Sequence, residues 1–293
     1  MKIIIYALFI SFGLVPAAFT CYGQSSPLEM ADGNESGRSS FKVGANYLSN
    51  NVFMGRADTI KTPTLNPSLK FTFSNGIYLL GDVEFIGNRK KSKIDGGTIA
   101  AGYDFDIGDN MDGSVSFTKL FFNTNSTQVG SAITGTVSAN LNYDIDGIIT
   151  PTLGADYNFL KKGFGNDIVL NFGISHEFSI AGSDDDALLT LSPALDVNSG
   201  TQNFYDAYLT VKKHRLLATS QQAFNAAQKA SLSRFTLLDY EFSMPLEFKP
   251  GRFIISFNPT YAIAKSEVPT RTGAIAANPN GVFYFETGVS LKF

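Results

Sequence analysis

From Phe41 onward the chain alternates, with apolar side chains on one parity and small or polar side chains on the other. Val137-Ser138-Ala139-Asn140-Leu141-Asn142-Tyr143 is the clearest run. Leu69-Lys70-Phe71-Thr72-Phe73, Pro151-Thr152-Leu153-Gly154-Ala155-Asp156-Tyr157 and Phe253-Ile254-Ile255-Ser256-Phe257 repeat the pattern. Successive side chains of a strand point to opposite faces, so each run reads as a strand with one apolar face. Twelve such strands are expected, over 41–50, 65–74, 77–86, 95–105, 112–121, 134–144, 148–159, 167–178, 188–198, 235–248, 253–264 and 282–293.

The connectors alternate as well. Ser74-Asn75-Gly76, Ile107-Gly108-Asp109-Asn110, Asp144-Ile145-Asp146-Gly147 and Lys249-Pro250-Gly251-Arg252 are short and carry residues that tolerate positive φ or preset a turn. The turn around Ala181 to Asp186 belongs with them but is longer. Between them lie the polar connectors 54–64, 87–94, 122–133, 160–166, 199–234 and 265–281. Short turns at one end, long loops at the other and an even strand count describe an all-β transmembrane antiparallel up-and-down barrel with both termini on the short-turn side. A β-sandwich competes, but it hides its apolar faces and gives no reason for loop length to alternate. Strands of about ten residues also suit a tilted membrane crossing better than the ~5–6 of a typical soluble strand. The 199–234 connector contains a further alternating run, Phe204 to Val211, which extends strands, forms a hairpin or raises the count to fourteen. Within the same connector, Gln221 to Ser231 has the Ala and Gln content of a short helix, which would narrow the mouth if folded inward.

The N-terminus has one lysine, an apolar run from Ile3 to Val15 and small residues before a plausible cut after Gly23. Residues 1–23 are therefore expected to be a signal peptide for Sec-type export, 24–40 a short periplasmic segment and 41–293 the barrel. Cys21 offers the alternative of a lipid attachment site, with Thr20 before it a poor match. No later apolar stretch approaches the ~20 residues of a membrane helix.

One Cys, two His and no Trp leave no disulfide framework and too few ligands for a Cys-rich zinc site, so neither metal nor cofactor is expected. A formal charge of -3 opposes nucleic-acid binding, which requires a basic face. Enzymatic function is not expected either. Hydrolytic barrels need a His beside a nucleophile or an activated water. His176 lies between Ser175 and Glu177 at the short-turn end, and His214 sits in a basic run.

The final strand runs Phe283 to Phe293 with Leu291, Val289 and Phe285 on the parity of the terminal Phe293. This resembles the C-terminal signature of outer-membrane barrels. The resemblance implies a Gram-negative outer membrane and names Phe293, Leu291 and Val289 as the signal read by the barrel-assembly machinery. Tyr47-Leu48-Ser49-Asn50-Asn51-Val52-Phe53-Met54-Gly55-Arg56, followed by Pro67 to Phe71 and Asn75-Gly76-Ile77-Tyr78, resembles the opening of a family of short porins. That family carries Ser-Asn-Tyr-Val-Phe-Arg-Gly before its second strand. Here Asn51 replaces the Tyr and the Arg and Gly are exchanged. The likeness covers about forty residues and implies a pore without naming its solute.

In such a barrel the apolar parity faces lipid. Tyr47, Phe71, Phe85, Tyr103, Phe117, Tyr143, Phe172, Tyr240, Phe242, Phe257 and Phe285 are expected outside. The expected inward charges are Lys42, Lys70, Lys292, Asp82, Glu84, Asp104, Asp156, Glu177, Asp196, Asp239, Glu241, Glu247 and Glu286. Acids dominate that set, and unpaired carboxylates need water or partners. The expectation is a narrow acid-lined pore for small polar solutes or cations, with Asp82, Glu84, Asp104, Asp156, Asp239, Glu241, Glu286, Lys42 and Lys70 lining it. The alternative is a plug in which lysines pair with the acids. A third reading is a closed barrel acting as adhesin or anchor, for which exposed Phe204, Tyr205 and Tyr208 would speak. Lys212-Lys213-His214-Arg215 and Arg89-Lys90-Lys91-Ser92-Lys93 lie on the long-loop side, where lipopolysaccharide phosphates are the expected partners.

Overall fold

The computed structural model describes residues 38–57, 61–87, 93–161, 165–183, 186–208, 226–266 and 281–293. The expected signal peptide, Cys21, both basic runs except Lys93, and His214 lie outside the described residues. The wall is a closed antiparallel barrel of 12 strands. They are β1 Ser40–Leu48, β2 Thr64–Thr72, β3 Ile77–Ile86, β4 Ile94–Asp106, β5 Met111–Phe122, β6 Ile133–Tyr143 and β7 Thr150–Leu160. Three strands follow in two pieces each: β8 (Asp167–Ser175, Phe178–Ser183), β9 (Asp186–Leu191, Ala194–Gly200) and β10 (Thr236–Ser243, Leu246–Phe248). β11 Phe253–Ala264 and β12 Val282–Lys292 complete the wall.

Each strand pairs with the next, and β12 returns to β1 in the register Lys42↔Lys292 to Leu48↔Glu286. Reciprocal backbone bonds of 3.1 and 2.9 Å between Phe41 and Phe293 seal that seam at the chain's C-terminal aromatic. Closure satisfies backbone groups that lipid could not. The breaks in β8, β9 and β10 lie at one level and are bridged sideways, His176 N to Pro193 O at 3.2 Å and Ser192 N to Pro245 O at 2.8 Å. Proline lacks the N–H that would continue the ladder, which accounts for the interruptions in β9 and β10. In the short turns, Gly76, Gly108, Asp146, Gly147 and Gly251 take positive φ.

Burial follows parity in the sense opposite to a soluble sandwich. Along β2 buried and exposed residues alternate without a break. At mid-height Ile99 is 61% exposed whereas its neighbour Thr98 is 8%. Leu69, Phe117, Leu153 and Phe172 share the outer face with Ile99, and Ser68, Ser116, Thr152 and Asn171 share the inner one. An apolar coat continuous over a closed wall is unstable in water and favourable in lipid, which makes this a membrane barrel.

Part of the lower interior is packed by an aromatic. Tyr78 is buried and forms a small cluster with Leu80 and Ala100, while Lys70 Nζ lies 4.5 Å from its ring centre. Gly102 pairs with Tyr78 across β3 and β4. A Cβ on Gly102 would come within 2.4 Å of the Tyr78 ring. Gly102→Val is therefore expected to destabilise the barrel by about 1–3 kcal/mol through overpacking, read as a lower urea midpoint in detergent micelles.

Two expectations are corrected. The alternating run at Phe204 is not a strand: residues 203–208 are helical, with Phe204, Ala207 and Tyr208 buried at the i, i+3 and i+4 spacing of one helical face. Short apolar runs do not distinguish the two periods. Fourteen strands are accordingly not formed by the described residues. The same burial removes Phe204 and Tyr208 from the exposed aromatics that were to support an adhesin.

Candidate pore interior

At the long-loop end the interior is apolar. Leu120, Ile133, Leu160, Val169 and Leu238 point inward from five strands and meet Phe53, Met54, Val129, Phe204 and Tyr208 from infolded connectors. Phe53 packs edge-on against Phe204 with ring centres 4.7 Å apart. Phe53 belongs to a small hairpin, Val52–Phe53 with Arg56–Ala57, that turns through Met54 and Gly55 at φ 50° and 69°. Gly55 lies against the wall so closely that a Cβ there would be 2.7 Å from the Ala264 nitrogen. Positive φ and this approach together require glycine.

The hairpin carries Arg56 into the interior. Its Nη2 donates to the Ser266 carbonyl at 2.7 Å and to the Ser266 hydroxyl. The guanidinium also lies 5.7 Å from the Tyr205 ring centre. Burial lowers its pKa, opposed by Tyr205 and Asp239. A guanidinium stays charged through such shifts.

The helical turn 203–208 is held from the wall. Asp167, at the start of β8, accepts the Asn203 and Phe204 amides at 2.7 and 2.8 Å and the Thr201 hydroxyl at 2.6 Å. A carboxylate on the first amides of a helix satisfies orphan donors and complements the helix dipole. Asp167→Ala is expected to cost about 1–3 kcal/mol and to speed amide exchange at Asn203 and Phe204 by tenfold or more, measured by hydrogen–deuterium exchange.

Below the cap the inner face is polar. Glu84 and Asp95 are buried and share Gln128, whose Nε2 donates to Glu84 and, at 2.7 Å, to Asp95. Ser126 donates to Asp95 at 2.7 Å, and Asn51 donates to Gln128 at 2.7 Å. Asp82 accepts from Thr98. Toward the short turns Lys292, Lys42 and Lys70 stand side by side on β12, β1 and β2. Lys70 pairs with Asp104 at 3.7 Å. Asp156 is half-buried on the inner parity of β7. Asp196, Asp239 and Glu241 gather on β9 and β10, and Glu286 is buried on β12.

The nine residues expected to line the interior thus fall on the inner face, dispersed along it among lysines and amides rather than gathered into one acidic lining. The sequence reading missed Asp95, Asp167 and Arg56. Asp95 faces inward because the β3–β4 register slips between Glu84 and Phe85, leaving it unopposed. The adjacent Gly96-Gly97 was the available signal for such a bulge. Among the described residues no group of three His, Cys, Asp or Glu side chains is placed to hold a metal ion.

No protein-family model matches the sequence, and a search of curated proteins finds no similar one. Solved structures with related folds include the KdgM porin, at 10% identity over 87% of this chain and 99% of that one with a TM-score of 0.46. The NanC porin matches at 10% identity over 87% and 100% with a TM-score of 0.45. An outer-membrane channel from Pseudomonas putida F1 matches at 9% identity over 87% and 94% with a TM-score of 0.44.

Proposed function

We propose that this chain is a bacterial outer-membrane protein that forms a narrow pore for passive diffusion of small polar solutes or cations. The observation that carries the reading is the polar inner face of a closed 12-strand wall. Side chains alone fill an eight-stranded barrel, and twelve strands leave more width than that. A polar face with many carboxylates is stabilised by water along it. Porins and channels among the solved structures named above accord with this. Catalysis is not part of the reading: His176 packs edge-on against Phe178 at 4.1 Å between ring centres. Export through a signal peptide, assembly by the barrel-assembly machinery through Val289, Leu291 and Phe293, and contact with lipopolysaccharide belong to the same proposal.

The apolar cap at the long-loop mouth favours a second reading, a barrel closed at rest that serves as an anchor. Liposome swelling separates the two. Vesicles carrying the folded protein are expected to swell in isosmotic solutions of small polar solutes such as glycine and erythritol. Swelling no faster than that of protein-free vesicles, with folding verified by heat-modifiable gel mobility, would favour the closed barrel.

A further inference from the structure

We infer that the outer face of β3, β4 and β5 carries a binding groove for the phosphorylated acyl lipid of the outer leaflet, the lipid A part of lipopolysaccharide. Gly97 lies between Val83 on β3 and Phe121 on β5, and its missing side chain leaves a furrow between them. Ile94 and Ile99 extend the walls and Lys93 stands at the long-loop end, the whole enclosing about 750 Å³. Val83, Ile94, Ile99 and Phe121 are all exposed, so the groove opens to lipid rather than to the lumen. A Cβ on Gly97 would come within 2.5 Å of the Asp82 carbonyl oxygen, which keeps the position open. Asp82 and Asp95 run beneath the groove but turn their carboxylates inward, where Thr98 donates to Asp82 and Ser126 and Gln128 donate to Asp95. No acid of the groove therefore faces an anion docked from outside.

The charge of the ligand follows from Lys119. Among the described residues of β1 to β7 it is the only charged side chain on the outer parity. It is exposed two residues before Phe121, on the same face, with Ile99 and Gly135 as its cross-strand partners. It forms no ion pair among the described residues. A charge facing hydrocarbon is costly unless it reaches the interface or meets a partner. β5 ends three residues further on, at Phe122, so the four-carbon stem of Lys119 carries its ammonium toward the headgroup level along the groove. Lys93 supplies a second cation at the upper end of the same groove. Phosphate for the lysines and an acyl chain for Val83, Ile94, Ile99 and Phe121 complement the groove in charge and in polarity. A soluble phosphate compound lacks the chain, and a zwitterionic phospholipid brings its own ammonium beside the phosphate. Lipid A, with phosphates, acyl chains and no cation, matches both halves of the site.

This inference rests on the outer-membrane reading and names where lipopolysaccharide meets the wall, and the experiment separates the two. Native mass spectrometry of the folded barrel in detergent is run with lipid A and with its fully dephosphorylated form, beside insertion of the same barrel into phospholipid vesicles. The inference predicts retention of one lipid A and little of the dephosphorylated form. Lys119→Gln is expected to weaken retention roughly tenfold or more, the size of a lost charge-assisted hydrogen bond, and Lys119→Arg to preserve it. Val83→Trp keeps both lysines but fills the groove from the lipid side, and is expected to weaken retention several-fold. Equal retention of the two lipids, or unchanged retention by Lys119→Gln, would overturn the phosphate assignment. Unchanged retention by Val83→Trp would overturn the groove. A second copy of the barrel bound in place of the lipid would make this face a subunit contact and overturn the lipid as its occupant. Insertion without lipid A binding would overturn the site and leave the membrane reading. Lipid A binding without insertion would keep the site and remove that reading.

Discussion

Phe53→Ala lowers the stability of the folded barrel by about 3–5 kcal/mol and raises its single-channel conductance. Phe53 is 2% exposed and is the hairpin's main contact with the apolar cap. Removing the ring takes from Phe204 the nearer of its two edge-on partners and opens a cavity beside the infolded connectors. That region can yield without breaking a wall hydrogen bond, so the expected consequence is a wider mouth. Gly55→Val reaches the same end differently, because its Cβ would lie 2.7 Å from the Ala264 nitrogen and 2.9 Å from the Ala264 Cα. Urea titration in micelles reads the stability and planar-bilayer recording reads the mouth. Unchanged conductance in both variants would mean that the hairpin is not the narrowest element of the path.

Ile99→Arg costs about 2–4 kcal/mol, whereas Thr98→Ser one position away costs about 1 kcal/mol or less. Ile99 is near the middle of β4, 61% exposed on the outer face, where a guanidinium would have to enter hydrocarbon. Thr98 faces inward, and a serine keeps the hydroxyl that serves Asp82. Equilibrium unfolding in phospholipid vesicles measures both. Equal tolerance of the two changes would place Ile99 in water and contradict the assignment of the outer face to lipid.

The wall was legible in the sequence because alternation is a local property. The run from Val137 to Tyr143 and its partner from Pro151 each show their apolar parity without reference to the other, and the structure pairs them, Leu141 with Leu153. The turn residues fixed which strands neighbour one another. The interior was legible only in part. Parity identified Lys42, Lys70, Glu84, Asp239 and Glu241 as inward, but not their neighbours across the barrel. Asp95 sat on the wrong parity until the slip beside Gly96-Gly97 turned it inward. The infolded connectors depended on partners far away in sequence: Asp167 holds a helical turn that begins 36 residues later at Asn203. Arg56 meets Ser266 across 210 residues. No period in a single segment encodes such contacts, and Phe204 to Tyr208 read as a strand for that reason.

The central claim, a narrow pore whose acidic inner face favours cations, is tested most directly by the reversal potential of single folded barrels in a planar bilayer under a potassium chloride gradient. The account predicts discrete conductance steps with a reversal potential displaced toward the cation equilibrium value. Steps with anion preference would assign control of the path to the row Lys292, Lys42 and Lys70 instead of Asp196, Asp239 and Glu241. Silence from barrels shown to be folded and inserted would contradict the pore itself.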